Sequence, residues 1–166
     1  LNTLISDVMA LYASEPNDHV SRALITTELD NACPVIMGDE QQLRQVIHNL
    51  LQNAQDACEA RGNGLQDAQV CVRTDWSASR HRVRLTVTDS GPGFTPNILQ
   101  RAFEPYVTTK SKGTGLGLAV VKKIIDEHGA KIDLGNIQEN GLIKGAQVSL
   151  SFAVVQATEA HDQPSS

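Results

Sequence analysis

The segment VRLTVTDSGPGF, residues 83–94, sets the architecture. Val83, Leu85 and Val87 alternate with Arg84, Thr86 and Thr88, the period of a half-buried strand, and the strand runs directly into a turn rich in Gly and Pro. Residues 70–75 alternate in the same way and predict an antiparallel partner. Residues 131–137 and 142–153 read as a closing pair joined across Asn140-Gly141, a short-hairpin signal. Upstream, residues 21–29 (SRALITTEL) and 34–37 (PVIM) are short β-branched pieces that read as strands, with Pro34 favouring the start of one.

Helical spacing fills the gaps. Leu4, Ile5, Val8, Met9, Leu11 and Tyr12 predict a first helix that ends at Glu15-Pro16-Asn17-Asp18. Asp39 precedes a long pattern of Leu43, Val46, Ile47, Leu50, Leu51 and Ala54, stopped by Arg61-Gly62-Asn63-Gly64. A short helix is expected near residues 97–102, and a strong one over 114–128 that ends at Gly129. Strands thus come in adjacent pairs, not interleaved singly with helices. The expected fold is α+β: a two-layer sandwich with helices on one face of a mixed, mainly antiparallel sheet. One domain is placed at residues 1–153, and the polar, aperiodic residues 154–166 are expected to be a disordered tail.

Charge and composition narrow the function classes. The chain has 166 residues, enough for one domain with a real core, and 14 Lys+Arg against 19 Asp+Glu give a net charge of -5. A broad positive field is missing, so nucleic acid and anionic membrane surfaces are poor partners. No apolar run approaches the ~20 residues that cross a bilayer, and the start, LNTLISDVMALY, lacks the flanks of a signal peptide. A cytoplasmic domain is expected, with anchoring of a longer parent in the inner membrane left open. Cys33, Cys58 and Cys71 are odd in number and far apart, which argues for reduced thiols over a disulfide framework or zinc cluster.

Three separated pieces carry chemistry. In NLLQNAQDA, residues 49–57, Asn49, Asn53 and Asp56 are four and three apart and share one face of an otherwise apolar helix. Amide oxygens there can ligate Mg²⁺ alongside phosphates and water, or the side chains can simply cap a neighbouring loop. In Asp89-Ser90-Gly91-Pro92-Gly93-Phe94 a strand end fixes a carboxylate suited to the amino group of adenine, while the glycines allow close approach to a flat ligand. An ordinary turn with an Asx hydrogen bond is the other reading. Gly113-Thr114-Gly115-Leu116-Gly117-Leu118 opens a helix, and its free amides can cradle phosphate, or the glycines can merely permit a tight helix start. It is neither a GxxxxGK[ST] loop nor a Rossmann turn. Thr108, Thr109, Lys110 and Lys112 just upstream suit β- and γ-phosphates; in isolation they read as solvated surface.

In this order the pieces resemble the N, G1 and G2 boxes of sensor histidine kinases, members of the superfamily of gyrase-, Hsp90- and MutL-type ATPases, with Phe103-Glu104-Pro105 standing at the F box. The resemblance covers about residues 1–153, and FEPYVTTKSKGTGLGLAVVKKIIDEHG with NLLQNAQDA looks most like the nitrogen-regulation sensor kinases. It implies the Bergerat-type ATP-binding fold, with ATP and Mg²⁺ as ligands. Asn53 would ligate the metal, and Asn49 would support the phosphate and metal site. Asp89 would bind the adenine amino group, Gly91 and Gly93 would line the base, and residues 102–114 would form a mobile lid. Asp56, Thr108, Thr109, Lys110, Gly113, Thr114, Gly115, Leu116, Gly117 and Leu118 complete the expected ATP site, with Asn49 and Lys110 as the catalytic candidates. Where the superfamily's ATPases carry a general-base Glu, this chain has Asn49, and an amide cannot take a proton from water. That departure favours a kinase.

None of His19, His48, His81, His128 and His161 has the acidic neighbour and downstream Pro expected around a phosphoacceptor. His48 belongs to the apolar-patterned helix, and His128 falls at a helix C-terminus, where positive charge is welcome. Both read as structural. The expected function is therefore γ-phosphoryl donation from Mg-ATP to a histidine on a dimerization domain outside the chain, with a response regulator downstream. The fragment would be monomeric and its parent a homodimer. A conformational ATPase and a binding module that has lost its nucleotide are the competing readings.

Overall fold

The computed structural model describes residues 1–14, 23–61, 67–107 and 117–154. The chain runs α1 (Asn2–Ser14), β1 (Leu24–Leu29), α2 (Glu40–Ala60), β2 (Gln69–Ser77), β3 (Arg82–Asp89), α3 (Pro96–Arg101), α4 (Gly117–Glu127), β4 (Lys131–Glu139) and β5 (Leu142–Ala153). A five-stranded sheet has the order β1-β2-β3-β5-β4. β1 pairs parallel to β2, and the other three pairings are antiparallel. The α+β expectation holds, including the mixed sheet. The hairpin turn behaves as Asn140-Gly141 predicts, with φ of 52° and 77° at the two positions.

Alternation decides which face meets the helices. Val70, Val72, Val83, Leu85, Val87, Leu150 and Phe152 are buried, while the intervening Arg73, Arg84 and Gln147 face water. α2 supplies the opposing wall with Leu43, Val46, Ile47, Leu50, Leu51, Ala54 and Cys58, and α1 and α4 add Ile5, Val8, Val121, Ile124 and Ile125. Removing such a side chain from water contributes about 1.5–3 kcal/mol. α1 is also tied down by polar bonds: Asn2 donates to the Asp30 carbonyl and accepts from the buried Thr74 hydroxyl, which itself accepts from Asp30 N.

The strand expected at residues 34–37 does not form. β-branched composition signals a fit to a pleated, half-buried surface, and here that surface is lacking: Val35 and Met37 are 86% and 82% exposed. β1 occupies only Leu24–Leu29 of the segment read as a strand, and residues 21–22 lie outside the described residues. So do residues 114–116 of the last predicted helix and the tail from 155 onward.

Two histidines gain definite roles. His48 is exposed, with Nδ1 3.0 Å from the Tyr12 hydroxyl. His128 is not the cation expected at a helix end. Its Nε2 accepts from Asp39 N at 2.9 Å, which requires an unprotonated nitrogen, and Nδ1 accordingly donates to the Ile124 carbonyl at 2.7 Å. The neutral ring therefore ties the end of α4 to the N-cap of α2, where Asp39 Oδ1 receives Gln42 N. Gly38 makes room for it, since a Cβ there would lie 2.9 Å from His128 Cδ2. We expect His128→Ala to lower unfolding stability by about 1 kcal/mol through the lost acceptor, with His128→Gln recovering part of it. Urea denaturation of the three proteins checks this; an unchanged midpoint for His128→Ala would remove the ring from the fold's supports.

Candidate functional site

Along α2 the polar stripe borders the apolar one. Asn49, Asn53 and Ala57 form one row at four-residue spacing, all half-buried, next to fully buried Leu50 and Val46. Two glycines meet this row on successive turns. A Cβ on Gly117, the first residue of α4, would sit 3.5 Å from Asn53 Nδ2 and 3.6 Å from its Oδ1. A Cβ on Gly91 would lie 2.8 Å from both the carbonyl carbon and oxygen of Ala57. Four residues of helix, about 6 Å of rise, thus separate Gly117's neighbour Asn53 from Gly91's neighbour Ala57. Asp56 accepts from Gln52 Nε2 at 2.8 Å on the same side of the helix.

Asp89 ends β3 in phase with Val87 and Leu85, so the two-residue period sends its carboxylate to the helix-covered face. Burial pushes the Asp89 carboxyl above its ordinary range; the N–H groups of Gly91 and Ala146 pull it partly back. Both land on Oδ1, at 2.8 and 3.2 Å. The first is the Asx bond that the sequence allowed, and the second comes from β5. The glycines of this turn serve packing first: Gly91 lies against α2, and Gly93, at φ +80°, has no room for a Cβ beside Ile143 and Asn136.

The β4–β5 hairpin supplies what sequence reasoning missed. Asn136 accepts from Phe94 N at 2.7 Å and donates to Phe94 O at 2.8 Å. Arg61, at the end of α2, donates to the carbonyls of Ser90 and Lys144. A Cβ on Gly145 would lie 1.7 Å from the Asp89 carbonyl oxygen, so only glycine fits there. An isolated glycine inside a strand pattern marks close backbone approach, and Gly145 carried that signal. Nothing local pointed to Asn136 or Arg61.

The structure therefore brings Gly117 at the start of α4 beside Asn53, and the β3 turn with Asp89 and Gly91 against α2 at Ala57; Asn49 and Asp56 share α2 with Asn53, and Gly93 packs on the hairpin. Thr108, Thr109, Lys110, Gly113, Thr114, Gly115 and Leu116 lie outside the described residues. Of the segment 102–114, Ala102 is buried, Phe103 is half-buried with the Lys122 ammonium 6.0 Å from its ring centroid, and Tyr106 is exposed with φ +67°. Among the described residues no group of His, Cys, Asp and Glu is arranged to hold a metal. None of their helices is long and apolar enough to cross a membrane.

Comparison with known proteins agrees with this fold. The sequence profile of the histidine kinase-, DNA gyrase B-, and HSP90-like ATPase family matches residues 38–156. An NtrY-like sensor histidine kinase of Rickettsia conorii is 41% identical over 107 residues, 64% of this chain and 17% of that protein. The sensor histidine kinase ZraS of Escherichia coli K12 is 36% identical over 141 residues, 85% of this chain and 28% of that protein. The chain thus spans less than a third of the length of these curated relatives. Among solved structures, the nucleotide-free catalytic domain of histidine kinase ThkA superposes with a TM-score of 0.74 at 31% identity, over 92% of this chain and 91% of that one. Full-length ShkA in complex with AMPPNP gives 0.71 at 30% identity, over 90% of this chain and 29% of that one. With its profile, its sheet and its ordered boxes in agreement, the chain belongs to the histidine kinase-, DNA gyrase B-, and HSP90-like ATPase family as a histidine kinase catalytic domain.

Proposed function

We propose that this domain binds Mg-ATP along α2 and donates the γ-phosphoryl group to a histidine on the dimerization domain of the same kinase, from which a response regulator is served. The observation that carries this reading is the row on α2, with Asp89 and Gly91 at the Ala57 turn and Gly117 at the Asn53 turn. The base then lies at Asp89, and the phosphates point toward the N-terminal half of α2. Asp89 Oδ2 accepts the adenine amino hydrogen, since the backbone already engages Oδ1. The AMPPNP held by ShkA and the response regulator TrrA held by ThkA support nucleotide and partner classes of this kind.

The residues present fit a magnesium ion: the Asn53 amide beside Gly117 offers a neutral oxygen of the kind that would hold it together with phosphates. Charge neutralisation at the transferring phosphoryl group is the chemistry a bound Mg²⁺ supplies. The protein's own part is positioning. Asn53 and Asn49 orient the phosphates, and the positive N-terminal end of the α4 dipole favours their charge. Asn49 has no proton-accepting power, so water stays unactivated and transfer is favoured over hydrolysis. The roles read for Thr108, Thr109, Lys110 and residues 113–116 rest on the sequence. The parent is read as a cytoplasmic-facing homodimer, with inner-membrane anchoring compatible with its sensor-kinase relatives.

We expect the isolated chain to bind ATP and ADP in calorimetry without labelling itself from γ-³²P-ATP. Asp89→Asn should cost the ~1.5–3 kcal/mol of a charged hydrogen bond with or without magnesium, whereas Asn53→Ala should lose affinity mainly when magnesium is present. Absence of acid-labile label on a supplied dimerization domain, or identical behaviour of the two variants, would sink the assignment of roles.

Asp89 also dictates a pH dependence. Its folded-state value lies above the ordinary 3.8, so the ionised form carries a burial penalty that is relieved as pH falls from the raised value toward the ordinary one. Over that interval Asp89 makes the unliganded domain more stable. Adenine binding needs the carboxylate and should weaken over the same interval. Nucleotide titrations against pH, run beside thermal melts of the unliganded domain, should show affinity falling before any loss of fold; flat affinity through that interval would exclude Asp89 as the base's acceptor.

A further inference from the structure

We propose that Asn136 is a positioning residue of the nucleotide site, holding the 89–94 turn so that Asp89 meets adenine in one fixed orientation. The inference rests on the nucleotide reading given above. Asn136 lies on β4 in phase with Ile132, which packs against the core. Its side-chain amide makes two bonds to a single residue, accepting from Phe94 N and donating to Phe94 O. Exchange of both bonds with one residue is what a strand offers its antiparallel neighbour. The side chain therefore stands in for a strand, pinning a turn that has no strand partner at that end.

Register makes the arrangement a bracket. Asn136 is paired with Ala146 across the β4–β5 ladder, and Ala146 N donates to Asp89 Oδ1. One rung of the hairpin thus grips both ends of the turn, the carboxylate at Asp89 through β5 and the exit at Phe94 through β4. The grip is tight in between: a Cβ on Gly93 would lie 2.8 Å from Asn136 Oδ1 and 2.5 Å from Ile143 Cγ2. Chemistry also restricts the residue at 136. Aspartate accepts from Phe94 N but sets a carboxylate against Phe94 O, serine reaches neither with both functions, and glutamine is one methylene too long for so close a contact. Asn136 touches neither the reacting atoms nor, on this geometry, the base; it acts through Asp89 and the turn.

Discrimination between adenine and guanine separates positioning from a general support of the fold. Asp89 accepts from the amino group at purine position 6, and guanine presents a carbonyl there. In the intact chain ADP should bind more tightly than GDP. Asn136→Ala and the near-isosteric Asn136→Asp should each reduce the ADP-to-GDP affinity ratio by about tenfold, mostly through weaker ADP binding. Hydrogen exchange should show Phe94 N losing protection while Val72 and Leu85 in the central strands keep theirs. An unchanged ratio in Asn136→Asp with central-strand protection intact would overturn the proposal, as would equal weakening of ADP and GDP, the signature of a purely structural contact. Failure of the unsubstituted chain to bind ADP is a separate result that needs no variant, and it would remove the nucleotide reading itself.

Discussion

Burial of one stripe of α2 against the central strands fixes the rotation of that helix about its axis, and the site is built on the stripe's edge. Val46, Ile47, Leu50 and Leu51 are at most 2% exposed. Turning the helix by one residue, about 100°, would bring several such side chains to water at about 1.5–3 kcal/mol each. The row Asn49, Asn53 and Ala57 is consequently held half-buried at the border, with its neighbours Val46 and Leu50 packed beneath it. Gly117 and Gly91 then bring α4 and the β3 turn against successive turns of the same row.

Placing a carboxylate at this border has a cost. Asp89 is pushed toward its neutral form by burial, and two backbone N–H groups restrain the shift without cancelling it. A group held in this way needs little reorganisation when a donor arrives, which is how preorganised sites limit the entropy lost on binding. The hairpin provides the restraint, through Ala146 N, the absence of a Cβ at Gly145 and the Asn136 amide. The distal end of the sheet thus holds the 89–94 turn in place.

The opposite end of α2 is fastened differently. His128, neutral by virtue of the two bonds it makes, joins the close of α4 to the N-cap of α2. α4 is therefore fastened to α2 at its C-terminal end, by His128 against Asp39, while its first residue, Gly117, starts beside Asn53. Close registration of these two helices suits the proposed reaction, in which positioning dominates.

Local patterns by themselves determined a good deal. Period-two alternation in residues 70–75 and 83–88 and period-3.6 spacing in 43–54 specified strands and helices, because burial on one face imposes those periods on any sequence that folds, and Asn140-Gly141 marked the closing hairpin. The polar stripe of Asn49, Asn53 and Asp56, the carboxylate at the end of β3 and the glycines before α4 were likewise visible, since each interrupts such a pattern. Where composition was read without a partner surface, at residues 34–37, the reading failed. Only the tertiary structure decided the rest. Asn136 meets Phe94 from 42 residues away, Ala146 meets Asp89 from 57, and His128 meets Asp39 from 89. Such bonds depend on strand order and register, which no local period encodes, and an asparagine on an edge strand looks the same in sequence whether it faces water or clamps a turn. The charge state of His128 was settled in the same way, by a backbone N–H that the fold delivers to its ring.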